Sequence, residues 1–371
     1  MQSIKIKKGI FHFVLVPIIL LAMQSCISEI LDEKYTSAPM DVFDEVWDEY
    51  DHSYGAFEAK HINWDSCKYI YRSKLNNYST DNELYSTLCG LLSELHDGHV
   101  QLIANGYKIF YSKNIPLLYV DSKYYENASE VHLLFNLIET KYLLSYIDTN
   151  SFIFGTILVP GTTIYLRYIY LPSFDESSFP KNFINLAYKD FDMCDGLIID
   201  LRFNGGGSIK VLGNFLKHFT DKKRTYLYSR VRNGADHSNF TPFIEHYMQP
   251  EGLLLTGKPI VVITNKLTAS CAEHCVLALG SLPNVTVIGD TTFGALSTVV
   301  QKLAPNGWEY RTCPQVIYDT TRQLLCNEKG QYLDGIGITP EIYSINRLWE
   351  IYIGFDQVLE TAVSLLQEKV K

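Results

Sequence analysis

Ser270 closes the turn between two segments of different character. Residues 259–264 form an unbroken apolar run read as a buried strand, and residues 269–279 are an alanine-rich helical stretch, so the serine falls at the turn-to-helix junction. There its hydroxyl can be exposed while the next N–H, that of Cys271, points toward the same pocket, an arrangement that acyl transfer requires. The same spacing also describes an ordinary helix N-cap serine, the commoner case, and no GxSxG motif surrounds it.

A second strand, residues 196–201, runs into Gly205, Gly206 and Gly207 and then into a helix over 209–219. Glycines let backbone N–H groups approach a ligand closely, and a helix N-terminus adds partial positive charge, so this turn suits an anion or a developing oxyanion. The GxxxxGK[ST] phosphate loop is missing, as is a dinucleotide fingerprint. A tight turn without a ligand is the remaining plain reading.

The elements that must position these residues follow from hydrophobic periodicity. Phe43, Trp47 and Tyr50, then Leu84, Leu88, Leu91, Leu92 and Leu95, recur at helical spacing and predict a helical N-terminal domain over 41–99. Residues 100–160 carry short aromatic and β-branched runs and read as a small β-rich cap or insert. From 161 to 346 strands alternate with helices, which implies a crossed-over α/β core, and a last helix occupies 347–371. Residues 308–311 and 315–319 read as a hairpin.

The N-terminus reads as a targeting device. Lys5, Lys7 and Lys8 precede an apolar run over 10–22, too short for a comfortable membrane span, and Ser25 stands before Cys26 as at a bacterial lipoprotein cleavage site. The expectation is a signal peptide over 1–25, lipidation at Cys26, a linker over 26–40, and residence in the cell envelope on the periplasmic or outer-membrane face. A net charge of −9 without a basic stripe disfavours nucleic acid as a partner. Of eight cysteines, Cys313 and Cys326 flank the expected hairpin and are the expected disulfide pair; none has the paired CxxC spacing of a zinc site.

Four segments together resemble the S41 family of tail-specific and tricorn-core-like peptidases, in a member without a PDZ module. They are Leu95-His-Asp-Gly-His-Val100, Asp200-Leu-Arg-Phe-Asn-Gly-Gly-Gly207, Thr268-Ala-Ser-Cys-Ala-Glu273 with Gly289-Asp-Thr-Thr-Phe-Gly294, and Leu333-Asp-Gly-Ile-Gly-Ile-Thr-Pro-Glu-Ile342. The resemblance implies a crotonase/ClpP-like α/β catalytic core that hydrolyses peptide bonds in a polypeptide substrate without metal or cofactor. It further implies Ser270 as nucleophile and an oxyanion hole from the Gly206 and Cys271 amides.

The family's base is a lysine just after a GxxTxGK glycine or, in the tricorn-like branch, a histidine from the N-terminal part of the chain. Here the lysine position is Ala295, and Lys302 lies off the motif. The histidine match is His99, with Asp334 as its orienting carboxylate where that branch carries glutamate, and Gly98 replacing a serine. His274 and Cys271 are rival base and nucleophile, His96 a supporting residue, Glu273 a helix-terminal carboxylate, and Asp200 with Arg202 a local ion pair. A peptide-binding lipoprotein without activity and an acyl-CoA site are the alternative functions.

Overall fold

The structure, a computed structural model, describes residues 38–113, 128–149 and 151–370. Lys5, Lys7, Lys8 and Cys26 lie outside the described residues. Three helices come first. α1 (Pro39–Ser53) opens on a proline, whose missing N–H is not needed in the first turn, and buries Val42, Phe43, Val46, Trp47 and Tyr50 along one face. α2 (Trp64–Arg72) is capped by the Asn63 side chain, which accepts the Ser66 N–H. α3 (Asp81–Ser93) starts in a capping box formed by Thr80 and Glu83.

Then follow β1 (Gln101–Ala104), β2 (Lys108–Tyr111), α4 (Ala128–Leu137), β3 (Ser145–Thr149), β4 (Phe152–Leu158), β5 (Tyr165–Tyr170), α5 (Phe183–Tyr188), β6 (Gly196–Asp200) and α6 (Ile209–Leu216). The chain continues through β7 (Arg224–Val231), β8 (Ile244–Met248), β9 (Ile260–Thr264), α7 (Cys271–Gly280) and β10 (Val285–Gly289). It ends with β11 (Val300–Leu303), β12 (Glu309–Thr312), β13 (Gln315–Tyr318), β14 (Ile342–Tyr343), α8 (Leu348–Tyr352) and α9 (Gln357–Lys369).

The central sheet has the order β14-β10-β9-β6-β5-β4-β3, parallel from β14 to β5 and antiparallel from β5 to β3. Its middle strands β6, β9 and β10 are buried at every position and mostly apolar, because both faces are covered. Leu197, Ile199, Ile260 and Val262 join the core with α6 and α7, while Ile198, Val261 and Ile263 face Leu359 and Val363 of α9. The α/β core expected from residue 161 onward is therefore present.

Two expectations change. β3 and β4, placed by sequence in a cap, extend the central sheet, and β1 with β2 pairs instead with β12 and β11. The 100–160 stretch thus divides between two sheets, since a short antiparallel strand carries no local sign of which distant strand it pairs with. Likewise β12 and β13 form no hairpin. Cys313 and Pro314 carry the chain from the first of those sheets to the β13-β7-β8 sheet, with Gly55 N–H bonded to the Cys313 carbonyl and Arg232 N–H to the Pro314 carbonyl, each at 2.9 Å. Cys313 and Cys326 are both free thiols, because Cys313 is buried beside Asp97 rather than placed opposite Cys326.

The N-terminal helices are not a separate body. Tyr50, Phe57, Trp64 and Leu88 share one core with Val100, Leu102, Trp308, Tyr310 and Val316. Among the described residues no helix is long and apolar enough to cross a membrane.

Candidate active site

The turn before Ser270 is tied to the glycine turn after β6. Thr268 donates its hydroxyl to the Leu201 carbonyl at 2.9 Å, and Ala269 N–H donates to the Asn204 carbonyl at 2.9 Å. Ser270 then adopts φ 56° and ψ −123°, a conformation that costs a non-glycine residue on the order of 1–3 kcal/mol. Its N–H donates to Glu273 Oε2 at 3.0 Å, and the serine is half-buried at the head of α7. Ser270 is thus an N-cap by position, held in a strained backbone that an ordinary cap does not need.

Gly206, with φ +103°, lies directly against this serine: a Cβ on it would sit 2.7 Å from the Ser270 Cβ and 2.9 Å from the Cys271 nitrogen. No side chain fits there. The Gly206 N–H donates to Asn204 Oδ1 at 2.8 Å, so in this conformation an oxyanion would compete with the asparagine for that donor. The Cys271 N–H belongs to the first turn of α7, where no helical carbonyl is available to accept it.

His99 sits two residues before β1, half-buried, with its Nδ1 enclosed and without a hydrogen-bond partner. Ser270 and His99 are not hydrogen-bonded to each other. Asp334, 2% exposed, contacts the Ser297 hydroxyl through Oδ2, while its Oδ1 is also buried without a partner. The hydrogen bond implied between His99 and Asp334 is therefore open. Burial, and after it the negative charge of Asp97, raises the Asp334 carboxyl above the usual aspartate range.

The rival groups are spoken for. His274 is buried, donates its Nε2–H to the Leu296 carbonyl at 2.8 Å, and is pushed down to about 4 by burial. Cys271 is 2% exposed and burial pushes its thiol up to about 12, which leaves no thiolate at neutral pH. His96 is exposed, and Lys302 pairs with Glu49 at 3.1 Å on β11. Arg202 binds Asp200 at 2.6 Å and Asp356 at 3.0 Å, tying the end of β6 to the N-cap of α9.

Two residues matter more than their sequence signal suggested. Glu273 is fully buried and accepts four donors: the N–H groups of Ser270, Gly294 and Ala295 and the Thr292 hydroxyl. It joins the Ser270 turn to the 292–295 loop. Asp97, also fully buried, accepts the His99 N–H at 2.9 Å, the Tyr54 hydroxyl at 2.9 Å and the Lys60 ammonium at 3.3 Å. Burial alone would raise its carboxyl, but Lys60, His99 and these donors overcome it and hold Asp97 below the usual range. The only sequence signal for it was its place between two histidines.

Ala295 is buried where the family lysine would stand. A Cβ on Gly98 would lie 2.9 Å from the Ala295 Cβ and 2.5 Å from the Phe293 ring, so the turn leading into His99 occupies the space above Ala295. A cleft of about 520 Å³ reaches Asp334 between Lys60, His96 and Tyr332, with neither Ser270 nor His99 in its walls.

Comparison with known proteins places this geometry. The profile of "Peptidase family S41" matches residues 166–344, which include Gly206, Ser270 and Asp334 but not His99. The chain is 33% identical over 143 residues to the carboxy-terminal processing protease CtpB of Bacillus subtilis, covering 38% of this chain and 27% of that one. It is 32% identical over 211 residues to the carboxy-terminal-processing protease of Bartonella bacilliformis, covering 54% and 43%. It therefore spans less than half the length of these curated relatives. A crystal structure of a Parabacteroides merdae protein assigned as a peptidase superposes with a TM-score of 0.74 at 26% identity, over 89% of this chain and 97% of that one. Mature CPAF shares the fold alone, with a TM-score of 0.62 at 10% identity over 89% and 97% of the two chains. The match lies across the β6 glycine turn and the Ser270 elbow, so residues 166–344 carry the sequence signature of peptidase family S41, shared with carboxy-terminal processing proteases.

Proposed function

We propose that the chain is a serine peptidase that hydrolyses polypeptide by acyl-enzyme chemistry. The observation that carries this reading is the strained Ser270 at the head of α7, pressed against a glycine that admits no side chain. A nucleophile held in this way presents its hydroxyl beside the Cys271 N–H.

His99 takes the Ser270 proton as the hydroxyl attacks the scissile carbonyl. The oxyanion is held by the Cys271 N–H and, once Asn204 yields it, by the Gly206 N–H. The imidazolium then protonates the leaving amine, and water, deprotonated by the same ring, releases the acyl group. Asp334 orients the ring through its free oxygen at Nδ1. The base comes from His99 and not from a lysine at 295, since the Gly98 turn fills that approach.

A second reading, a peptide-binding protein without activity, draws on the missing Ser270–His99 hydrogen bond and on the engaged Gly206 N–H. A fluorophosphonate probe separates the two. Labelling lost in Ser270→Ala and in His99→Ala, with casein digestion lost alongside, supports the peptidase; digestion surviving in Ser270→Ala overturns it. Residence in the cell envelope, with a lipid on Cys26, belongs to the same proposal. Lipid labelling that persists in Cys26→Ala would refute the anchor.

A further inference from the structure

His99 has two buried carboxylates beside it, and they meet opposite kinds of partner. Every group within hydrogen-bonding distance of the Asp97 side chain is a donor: Lys60 and the Tyr54 hydroxyl at Oδ2, the His99 N–H and the Cys313 thiol at Oδ1. A carboxyl proton could go only to the Tyr54 oxygen or, weakly, to the Cys313 sulfur, and would leave Lys60 without its counter-charge. Asp334 meets the reverse. The Ser297 hydroxyl lies between Asp334 Oδ2 and the Gln315 carbonyl, 3.0 Å from the latter, so one hydroxyl proton faces two acceptors. A hydroxyl has one proton to give, and the chain is satisfied only when Asp334 donates to Ser297 and Ser297 donates to Gln315.

We propose that Asp97 is the ionised positioning residue of the His99 site and that Asp334 stands beside it as a neutral acid, its proton directed at Ser297. This rests on the reading of His99 as base. The two carboxyls then divide the work that one performs in a simple triad. Asp97 supplies the negative charge that stabilises the imidazolium and fixes the His99 backbone; Asp334 keeps its carbonyl-like Oδ1 free as an acceptor for the ring N–H. The directions already described, Asp97 held down and Asp334 pushed up, agree with this division. Two neighbouring buried carboxyls in different surroundings are expected to separate in this way. The charged groups facing the pair are Lys60 from the N-terminal helical region and Lys113 at the end of β2, with His99 itself.

The test uses the full chain and two readouts. Infrared difference spectra at neutral pH, wild type minus variant, should show a protonated carboxyl C=O band for Asp334→Asn and none for Asp97→Asn, the contribution of Glu273, which burial pushes up to about 7, cancelling in both; a band for Asp97→Asn, or none for Asp334→Asn, overturns the proposal. This holds whether or not the protein hydrolyses peptides, so it is independent of the peptidase reading. In peptide hydrolysis, Asp97→Asn should lower kcat at near-constant KM and move the acidic limb of the pH profile down by on the order of one pH unit. Asp334→Asn keeps a donor for Ser297 and should leave that limb in place whatever it does to the rate. An unmoved limb in Asp97→Asn, with Ser270 labelling intact, sinks the proposal and spares the peptidase. Should Asp97→Asn fail to fold, Lys60→Met should lose kcat in the same sense and Lys60→Arg should restore it; equal rates in both Lys60 variants would count against the assignment.

Discussion

Gly206 and Ser270 are in contact across two loops that are 64 residues apart in sequence, so closely that a single methyl group on the glycine would lie 2.7 Å from the serine Cβ. The Ser270 turn and the glycine turn are therefore one packed unit. Gly206→Ala should abolish fluorophosphonate labelling and peptide hydrolysis, because the added carbon also meets the Cys271 nitrogen and the glycine's φ of +103° disfavours a side chain. Loss of one oxyanion donor alone is worth about 3 kcal/mol of barrier, so a residual rate within tenfold of wild type would contradict the packing.

Glu273 makes a separate prediction. An amide in its place could not accept from all four donors that now converge on the carboxylate, and two of them would face an NH2 group. Glu273→Gln should cost about 3 kcal/mol in urea unfolding and should loosen the 292–295 loop as well as Ser270. An unchanged unfolding midpoint would show that the clamp carries no weight.

His274 should make the fold sensitive to mild acid. Burial lowers it from 6.5 to about 4, so the unfolded chain takes up a proton first as pH falls. The stability it contributes is complete above 6.5, shrinks as pH falls toward 4, and amounts to ~3 kcal/mol over that interval. Glu273, pushed up to about 7 by burial, works in the opposite sense, so the comparison is between wild type and His274→Gln. Thermal melts across this pH range should fall less steeply in the variant; parallel curves would remove His274 from the account.

Ala295→Lys should fail to install a lysine base. The new side chain would have to pass Gly98 and the Phe293 ring, so the expected outcome is a less stable protein whose hydrolysis still depends on His99. Activity in the Ala295→Lys, His99→Ala double variant would overturn this view of the site.

Much of the site was legible before any coordinates. Ser270 and Gly206 sit where short apolar runs end in turns, and such runs and turns are set by neighbours a few residues away. The apolar runs 197–199 and 260–263 could only be central, since both of their faces needed cover. Less was legible where pairing is long-range. Nothing in 145–158 tells a cap strand from an edge strand of the main sheet, and nothing in 309–318 shows that Cys313 and Pro314 separate two sheets.

What the amino-acid order determined by itself was the strand-to-helix turn that carries Ser270, the glycine turn and the buried strands beside them, because each is a local pattern of periodicity and backbone freedom. Only the folded chain decided which groups surround His99. Tyr54 and Lys60 reach Asp97 from the N-terminal helical region, Asp334 arrives from the far end of the α/β core, and Glu273 joins Ser270 to the loop under Gly98. The charge of a buried carboxylate depends on which donors and acceptors enclose it, and here those partners come from across the sequence.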